Sequence, residues 1–332
     1  MGKYKGENEM KKIIAIVCAA LMLVSMTACG TAGTTNKDDG KYVIGICQLI
    51  THDALDAATN GFKQAVIDGL GEDNVTFKFQ NAAGDSNTCS TIVNTFVSDD
   101  VDLIMANATP ALQAAATATA DIPILGTSVT EYGVALEIEN FDGTVGTNVS
   151  GTSDLAPLDK QAEMVKEWFP DAKNVGLLYC SAEANSKYQI DTVEGYLKDM
   201  GYTCTRYAFT DTNDMAAVVE DAAANSDVIY VPTDNAVANA TGIVDNICSG
   251  KVPVIAGESG ICSGCGVATL SLDYYDLGYA TGLMAVKVLK GEAKIAEMPI
   301  EYTPMEKITP KYNKTNCDAL GITPLEGYEP LG

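Results

Sequence analysis

Short apolar runs and longer stretches of helical period alternate from Tyr42 almost to the end of the chain. Strands are predicted at Val43–Cys47, Val75–Gln80, Leu103–Ala106, Ile122–Leu125 and Thr144–Thr147. Between them the pattern predicts helices at Ala54–Gly69 and Cys89–Ser98. The first repeats Leu55, Ala58, Phe62, Ala65, Val66 and Leu70 at helical spacing and stops at Gly69 and Gly71. A second set begins with a helix at Leu155–Phe169, which ends against Pro170. Strands then fall at Val175–Tyr179, Thr203–Tyr207, Val228–Val231 and Val254–Ala256. Helices fall at Asn185–Met200, closed by Gly201, Asn213–Ala224 and Ala236–Cys248. After them come a strand at Val267–Leu272, a helix at Asp273–Lys290, a last strand near Ile300–Thr303 and an irregular tail. Alternating strands and helices, with strands that are mostly unbroken apolar runs, argue for parallel sheets covered on both faces.

The chain also repeats itself loosely. VDLIMANATPALQ, followed by IPILGTS, returns about 125 residues later as SDVIYVPTDNAVA and VPVIAGE. Asp102 matches Asp227, Thr109 matches Asp234 and Pro123 matches Pro253. VIGIC (Val43–Cys47) is echoed by VGLLY (Val175–Tyr179). Two such units in one chain imply an α/β protein of two similar doubly wound lobes with parallel sheets, joined by a multi-strand hinge. The helix and strand left over after two complete units imply that the chain crosses back to the first lobe and returns. The expected division is 42–150 plus 273–296 for the first lobe and 151–272 plus 297–332 for the second.

The front of the chain does not belong to this pattern. Lys11-Lys12 precede an uncharged apolar run from Ile13 to Ala28. That run is short for a spanning helix and fits the apolar region of an export signal. It ends in Met26-Thr27-Ala28-Cys29-Gly30, which resembles the bacterial lipoprotein signal, whose Cys is acylated and becomes the first residue. The expectation is a signal peptide over 1–28, lipidation at Cys29, a flexible tether over 29–41, and a protein outside the cytoplasm held to the membrane by lipid alone. An ordinary cleaved export signal is the alternative. The formal charge of −23 disfavours nucleic acid and anionic lipid as direct partners. Of the ten cysteines, eight lie beyond Cys18 and Cys29, and their pairing is open. Cys262 and Cys265 form one CxxC, with no second pair and a single His in the chain, so a local disulfide or two thiols fit better than a metal.

In open α/β sheets, ligands bind beyond the C-terminal ends of the strands. In the first lobe that rule selects Thr51, His52, Thr109, Pro110, Ser128, Thr130, Ser153 and Asp154. In the second lobe and the crossover it selects Glu183, Asn185, Asp234, Asn235, Glu258 and Asp273. First-lobe loops are rich in hydroxyls and helix starts, which suit an anion such as a carboxylate. The second-lobe loops and the crossover hold Asp234, Glu258 and Asp273, which suit an ammonium. A ligand with both groups, an α-amino acid, would bridge the lobes. Each residue also has a plainer role: Thr109, Ser153, Asp154 and Asp234 are all apt helix N-caps, and Tyr274 and Tyr275 are apt packing aromatics. Enzyme signatures are missing. No GxGxxG follows the first strand, no GxxxxGK[ST] or GxSxG occurs, and one His leaves little material for a triad.

Five motifs carry a family resemblance: Thr51-His52-Asp53-Ala54-Leu55-Asp56, Ala108-Thr109-Pro110-Ala111, Gly151-Thr152-Ser153-Asp154, Pro232-Thr233-Asp234-Asn235 and Leu272-Asp273-Tyr274-Tyr275-Asp276-Leu277-Gly278. In this order they resemble the substrate-binding lipoproteins of ABC transporters, nearest to the tryptophan- and phenylalanine-binding proteins. The resemblance implies a type I periplasmic-binding-protein fold that closes on its ligand, and an amino-acid ligand with an aromatic side chain. It also implies cleft roles for Thr109, Pro110, Ser153, Asp154, Asn185, Asp234, Asn235, Glu258 and Asp273. Its partners would be permease subunits with a cytoplasmic ATPase; the protein would be a monomer, not an enzyme, with no cofactor or metal. The alternatives keep the fold and change the ligand to a nucleoside, sugar or other small solute, or the task to sensing. An extracellular enzyme using Asp234, Glu258 and Asp273 as acids and bases is the rival from another class. Thr130-Glu131-Tyr132 and the Cys262–Cys265 loop depart from relatives.

Overall fold

The computed structural model describes residues 41–331. The expected signal, Cys29 and the tether up to residue 40 lie outside the described residues. The first lobe runs β1 (Tyr42–Gln48), α1 (Asp53–Leu70), β2 (Val75–Asn81), α2 (Ser86–Ser98), β3 (Leu103–Asn107), α3 (Thr109–Ala118), β4 (Ile124–Val129), the single turn α4 (Tyr132–Ala135) and β5 (Val149–Ser153). Its sheet has the order β2-β1-β3-β4-β5-β11, where β11 is Glu301–Tyr302, and every pair is parallel. The second lobe runs α5 (Leu158–Trp168), β6 (Asn174–Cys180), α6 (Ala184–Asp199), β7 (Thr203–Phe209), α7 (Thr212–Asn225), β8 (Val228–Val231), α8 (Asn235–Asn239), α9 (Thr241–Cys248), β9 (Val254–Ala256), α10 (Ser259–Cys265) and β10 (Ala268–Ser271). Its sheet has the order β7-β6-β8-β9-β10-β12-β13, with β12 (Thr309–Tyr312) antiparallel to β10 and β13 (Glu329–Pro330) at the edge. All residues of β3 and β8 are buried, as strands covered by helices on both faces require.

The repeat in the sequence is a repeat in hydrogen bonding. Asp102 Oδ2 accepts from Val43 N at 2.7 Å, and Asp227 Oδ2 accepts from Lys173 N and Asn174 N at 2.8 Å. Each aspartate thus ties the start of its lobe's third strand to the start of the first. The carbonyl before β4 (Pro123) accepts from Ile104 N at 2.9 Å, and the one before β9 (Pro253) accepts from Ile229 N at 2.9 Å. The matched residues are therefore scaffold.

Three crossings join the lobes: after Ser153, before α11 (Tyr274–Leu289), and after Tyr302. Helix α11 returns to the first lobe and lies hard against α1. A Cβ on Gly278 would sit 1.9 Å from Ala58 O, and one on Gly61 would sit 2.0 Å from Tyr275 O. Only glycine at these two positions lets the backbones approach so closely, and that contact fixes the first turn of α11.

Several expectations change. The fifth strand is Val149–Ser153, not Thr144–Thr147. Its sequence, VSGTS, has one apolar side chain, because its hydroxyls find partners inside the protein: Ser150 Oγ donates to Met298 O at 3.0 Å, and Thr152 Oγ1 pairs with Thr281 Oγ1 at 2.8 Å. Ser153 thus lies in a strand and not beyond one. Residues 151–153 and Glu301–Tyr302, placed in the second lobe by sequence, pair in the first sheet. The helix expected at Ala236–Cys248 is two, broken at Ala240. The tail holds β12, α12 (Lys314–Leu320) and β13. Cys47, Cys89, Cys180, Cys204, Cys248, Cys262, Cys265 and Cys317 are free thiols. Among the described residues, no helix is long and apolar enough to cross a membrane, and no cluster is suited to a metal ion.

Candidate functional site

Loops beyond β1, β4, β5, β6, β8 and β9 meet around an enclosed space between the lobes. The first lobe contributes His52, Ser128, Thr130 and Asp154, and α11 contributes Tyr274. The second lobe contributes Asn185, Thr233, Asp234, Asn235 and Glu258, with Ala54, Leu55 and Ala238 as apolar wall. The lobes are shut: the open volume is about 10 Å³, room for about one water. One bond bridging them is His52 Nε2 to Asn235 Oδ1 at 3.3 Å. Asn235 Nδ2 donates to Glu183 Oε2 at 2.7 Å, which turns Asn235 Oδ1 toward His52. On that assignment Nε2 carries the proton and Nδ1 is an acceptor.

Unsatisfied groups concentrate here. Buried polar atoms normally have partners. Among the described residues nine buried side-chain atoms have none, and five are His52 Nδ1, Thr109 Oγ1 (just outside the cavity lining), Ser128 Oγ, Asp154 Oδ1 and Asn185 Oδ1. The first, fourth and fifth are acceptors; the other two are hydroxyls at the start of α3 and the end of β4. A larger groove of about 800 Å³ runs along the hinge past Asp273, Tyr302 and Lys307. None of the nine atoms belongs to its lining, so the smaller space is the better candidate.

The carboxylates play different parts from those expected. Asp234 Oδ1 accepts from Val237 N at 2.9 Å and Oδ2 from Cys180 N at 2.7 Å. Glu258 accepts from Gly260 N at 2.6 Å and Ile261 N at 2.5 Å. Both line the cavity, yet both cap short helices. Asp273 caps α11 from an exposed position in the hinge groove. Ser153 Oγ is occupied by Thr130 O at 2.8 Å and Leu155 N at 3.1 Å. Pro110 is buried in the first turn of α3, and Thr51 lies at the exposed rim, bonded to Asn81. The structure therefore brings His52, Thr130, Asp154, Asn185, Asp234, Asn235 and Glu258 together, while Thr51, Thr109, Pro110, Ser153 and Asp273 fall outside the cavity lining. Tyr274 lines it but reads as a packing aromatic in sequence. Glu183, a strand-end residue, underlies it.

Asp154, Glu183, Asp234 and Glu258 are all buried, and no Lys or Arg lines the space. Desolvation raises the pKa of each. Glu183 and Glu258 are pushed up to about 7. Asp154 and Asp234 move in the same direction, opposed by their hydrogen-bond donors. Burial lowers the His52 pKa, so the ring stays neutral. The backbone is strained on the first-lobe side. Ala108, before α3, has φ 88° and ψ 157°, and Ser128 has φ 54°. Such conformations concentrate at ligand-binding sites.

The family model for ABC transporter substrate binding protein matches residues 43–327. A tyrosine-binding protein of Clostridioides difficile is 38% identical over 305 residues, covering 87% of this chain and 87% of that protein. Among solved structures, an ABC domain in complex with L-Trp from Streptococcus pneumoniae is 32% identical, covers 88% of this chain and 100% of its own, and superposes with a TM-score of 0.82. A ligand-free, open substrate binding protein with adhesive properties from Clostridium difficile is 38% identical over 87% of this chain and 99% of its own, with a TM-score of 0.66. The chain is nearer in sequence to the open protein but nearer in shape to the liganded one, which agrees with shut lobes.

The buried carboxyls set a pH dependence. A carboxyl whose folded pKa lies near 7, above its unfolded value, stabilises the fold fully below the unfolded pKa. That stabilisation is lost as pH rises through the folded pKa. The unliganded protein should therefore lose stability between about pH 5 and pH 8, by roughly 3 kcal/mol for Glu258 alone. Urea midpoints across that range check it. Glu258→Gln should flatten part of the fall; an unchanged slope in the variant would rule Glu258 out as its source.

Proposed function

The chain belongs to the ABC transporter substrate-binding protein family, and from that premise we propose that it captures an α-amino acid with an aromatic side chain between its lobes and delivers it to an importer. As a member of that family it is a solute-binding protein and not an enzyme. The observation that carries the reading is Asp154 Oδ1. It is a buried, unpartnered carboxylate oxygen in a cavity lined by further carboxylates and no Lys or Arg. Such a site favours a cation that would complete it.

An ammonium supplies that charge and three N–H donors. Asp154 Oδ1, Asn185 Oδ1 and His52 Nδ1 are the acceptors available to it. The ligand's carboxylate then goes to the hydroxyls of Thr109 and Ser128 and the start of α3, which has no side-chain cap. This assignment moves the ammonium from Asp234, Glu258 and Asp273 to the hinge residue Asp154. The Tyr274 ring and Leu55 offer an apolar surface for the side chain. The names of the relatives support an aromatic amino acid: one is a tyrosine-binding protein and one holds L-Trp. The lobes must part to admit such a ligand and close to complete its contacts.

Substrate-binding proteins of ABC importers work outside the cytoplasm. The finer parts of the proposal are an acylated Cys29, a tether ahead of Tyr42, action as a monomer, and docking of the closed form on permease subunits coupled to a cytoplasmic ATPase. The Lys pair, apolar run and Cys29 support the anchor.

Calorimetry of the mature protein tests the ligand class. L-tyrosine, L-tryptophan or L-phenylalanine should bind with one-to-one stoichiometry, and their des-amino analogues at least 100-fold more weakly, by roughly 3 kcal/mol. Asp154→Asn should lose about the same amount. Preferential binding of a sugar or nucleoside, or no loss in Asp154→Asn, would overturn the assignment. For the anchor, cells expressing the full chain should incorporate labelled palmitate into it, and Cys29→Ala should abolish labelling; equal labelling of both would exclude Cys29.

A further inference from the structure

One buried contact at the site holds no ligand atom in the assignment above. Tyr274 Oη donates to Asp154 Oδ2 at 3.0 Å. Asp154 is the residue at which the chain leaves the first lobe after β5, and Tyr274 is where it re-enters that lobe at α11. The hydrogen bond therefore joins two of the three interlobe crossings, which lie 120 residues apart in sequence.

We infer that Tyr274 is a positioning residue: its hydroxyl fixes Asp154 with one oxygen facing the ligand ammonium, and it links that oxygen to the hinge. The inference rests on the amino-acid reading above and adds a residue that family motif and strand-end position alone read as packing. Three observations support it. The two oxygens of Asp154 are unlike, since Oδ2 is held by Tyr274 and Oδ1 has no partner. A carboxylate held at one oxygen cannot rotate the free one away without breaking that bond. Tyr274 also has a rigid seat. It is buried with Ala54, Ala58, Leu272 and Leu277, and the glycine-only contact of Gly278 with Ala58 fixes the turn that carries it. Finally, Thr233 of the second lobe lines the same small cavity as Tyr274. Residues from both lobes therefore surround this space in the shut form.

The role has a pH signature. Asp154 must be ionised to bind an ammonium, so affinity falls as pH drops through its pKa. The groups facing it are Thr130 and Tyr132 from the first lobe, Tyr274 from α11, and Glu258 from the second lobe. The Tyr274 O–H bond lowers the Asp154 pKa against burial. Removing that donor takes away the hydrogen bond to Oδ2 and raises the pKa, so the loss of affinity begins at higher pH.

The test compares wild type, Tyr274→Phe, Asp154→Asn and the double variant, with L-tryptophan, L-tyrosine and indole-3-propionate as probes from pH 5 to pH 8. Melting curves confirm that each is folded. Tyr274→Phe should weaken both amino acids about tenfold near pH 7.5 and move the acid limb up by about one pH unit. It should leave indole-3-propionate within about twofold, and it should add little in the Asp154→Asn background. An unmoved acid limb, or equal weakening of tryptophan and its des-amino analogue, would show that Tyr274 only fills space. If wild type itself binds neither amino acid better than indole-3-propionate, the amino-acid reading falls and this role falls with it. The two failures are told apart by the protein in which they appear.

Discussion

Uncompensated negative charge at the meeting line of the two lobes is the constraint on which the rest of the structure depends. Asp154, Glu183, Asp234 and Glu258 are held away from water, and the cavity they surround contains no Lys or Arg side chain. Isolated buried carboxylates are costly. The fold meets most of that cost with backbone N–H donors at helix starts, so both oxygens of Asp234 and of Glu258 already have partners. Asp154 is treated differently, because only one of its oxygens has a partner. A cationic group at that oxygen would complete the site, and it would do so most fully when both lobes surround it.

Duplication explains how the charge came to be split between scaffold and site. The two lobes share a strand order and matching aspartate and proline contacts at the base of each sheet. Their upper ends differ. Thr109 of the first lobe presents an unpartnered hydroxyl, while the matching Asp234 of the second is occupied by Cys180 N and Val237 N. Matched positions of similar frames thus carry an unpartnered hydroxyl in one lobe and a fully paired carboxylate in the other. The hinge residue Asp154 supplies the charge between them.

The alternation of strands and helices was legible because buried parallel strands need continuous apolar side chains. Val228–Val231 and Val254–Ala256 stand where that pattern places them. Val149–Ser153 was not legible, since its hydroxyls bond inward and its sequence reads as loop. The candidate cavity was legible as a set of strand-end positions: His52, Asp154, Asn185 and Glu258 converge on it. The duties of individual oxygens were not. Glu258 looks free in sequence because Ser259–Cys265 is rich in glycine and cysteine and has no helical period, yet it forms the helix that Glu258 caps. Tyr274 carries a helix-start pattern identical to that of a core aromatic, and only its 3.0 Å bond to Asp154 distinguishes it.

If an ammonium completes this cluster, it must lower the pKa of its carboxyls, and protons they hold in the empty protein must leave on binding. Calorimetric titration of the mature protein with L-tryptophan or L-tyrosine near pH 6.5, in buffers of different ionisation heat, counts those protons directly. The account predicts net proton release that disappears above about pH 8. Binding without proton release near pH 6.5, or with proton uptake, would contradict it.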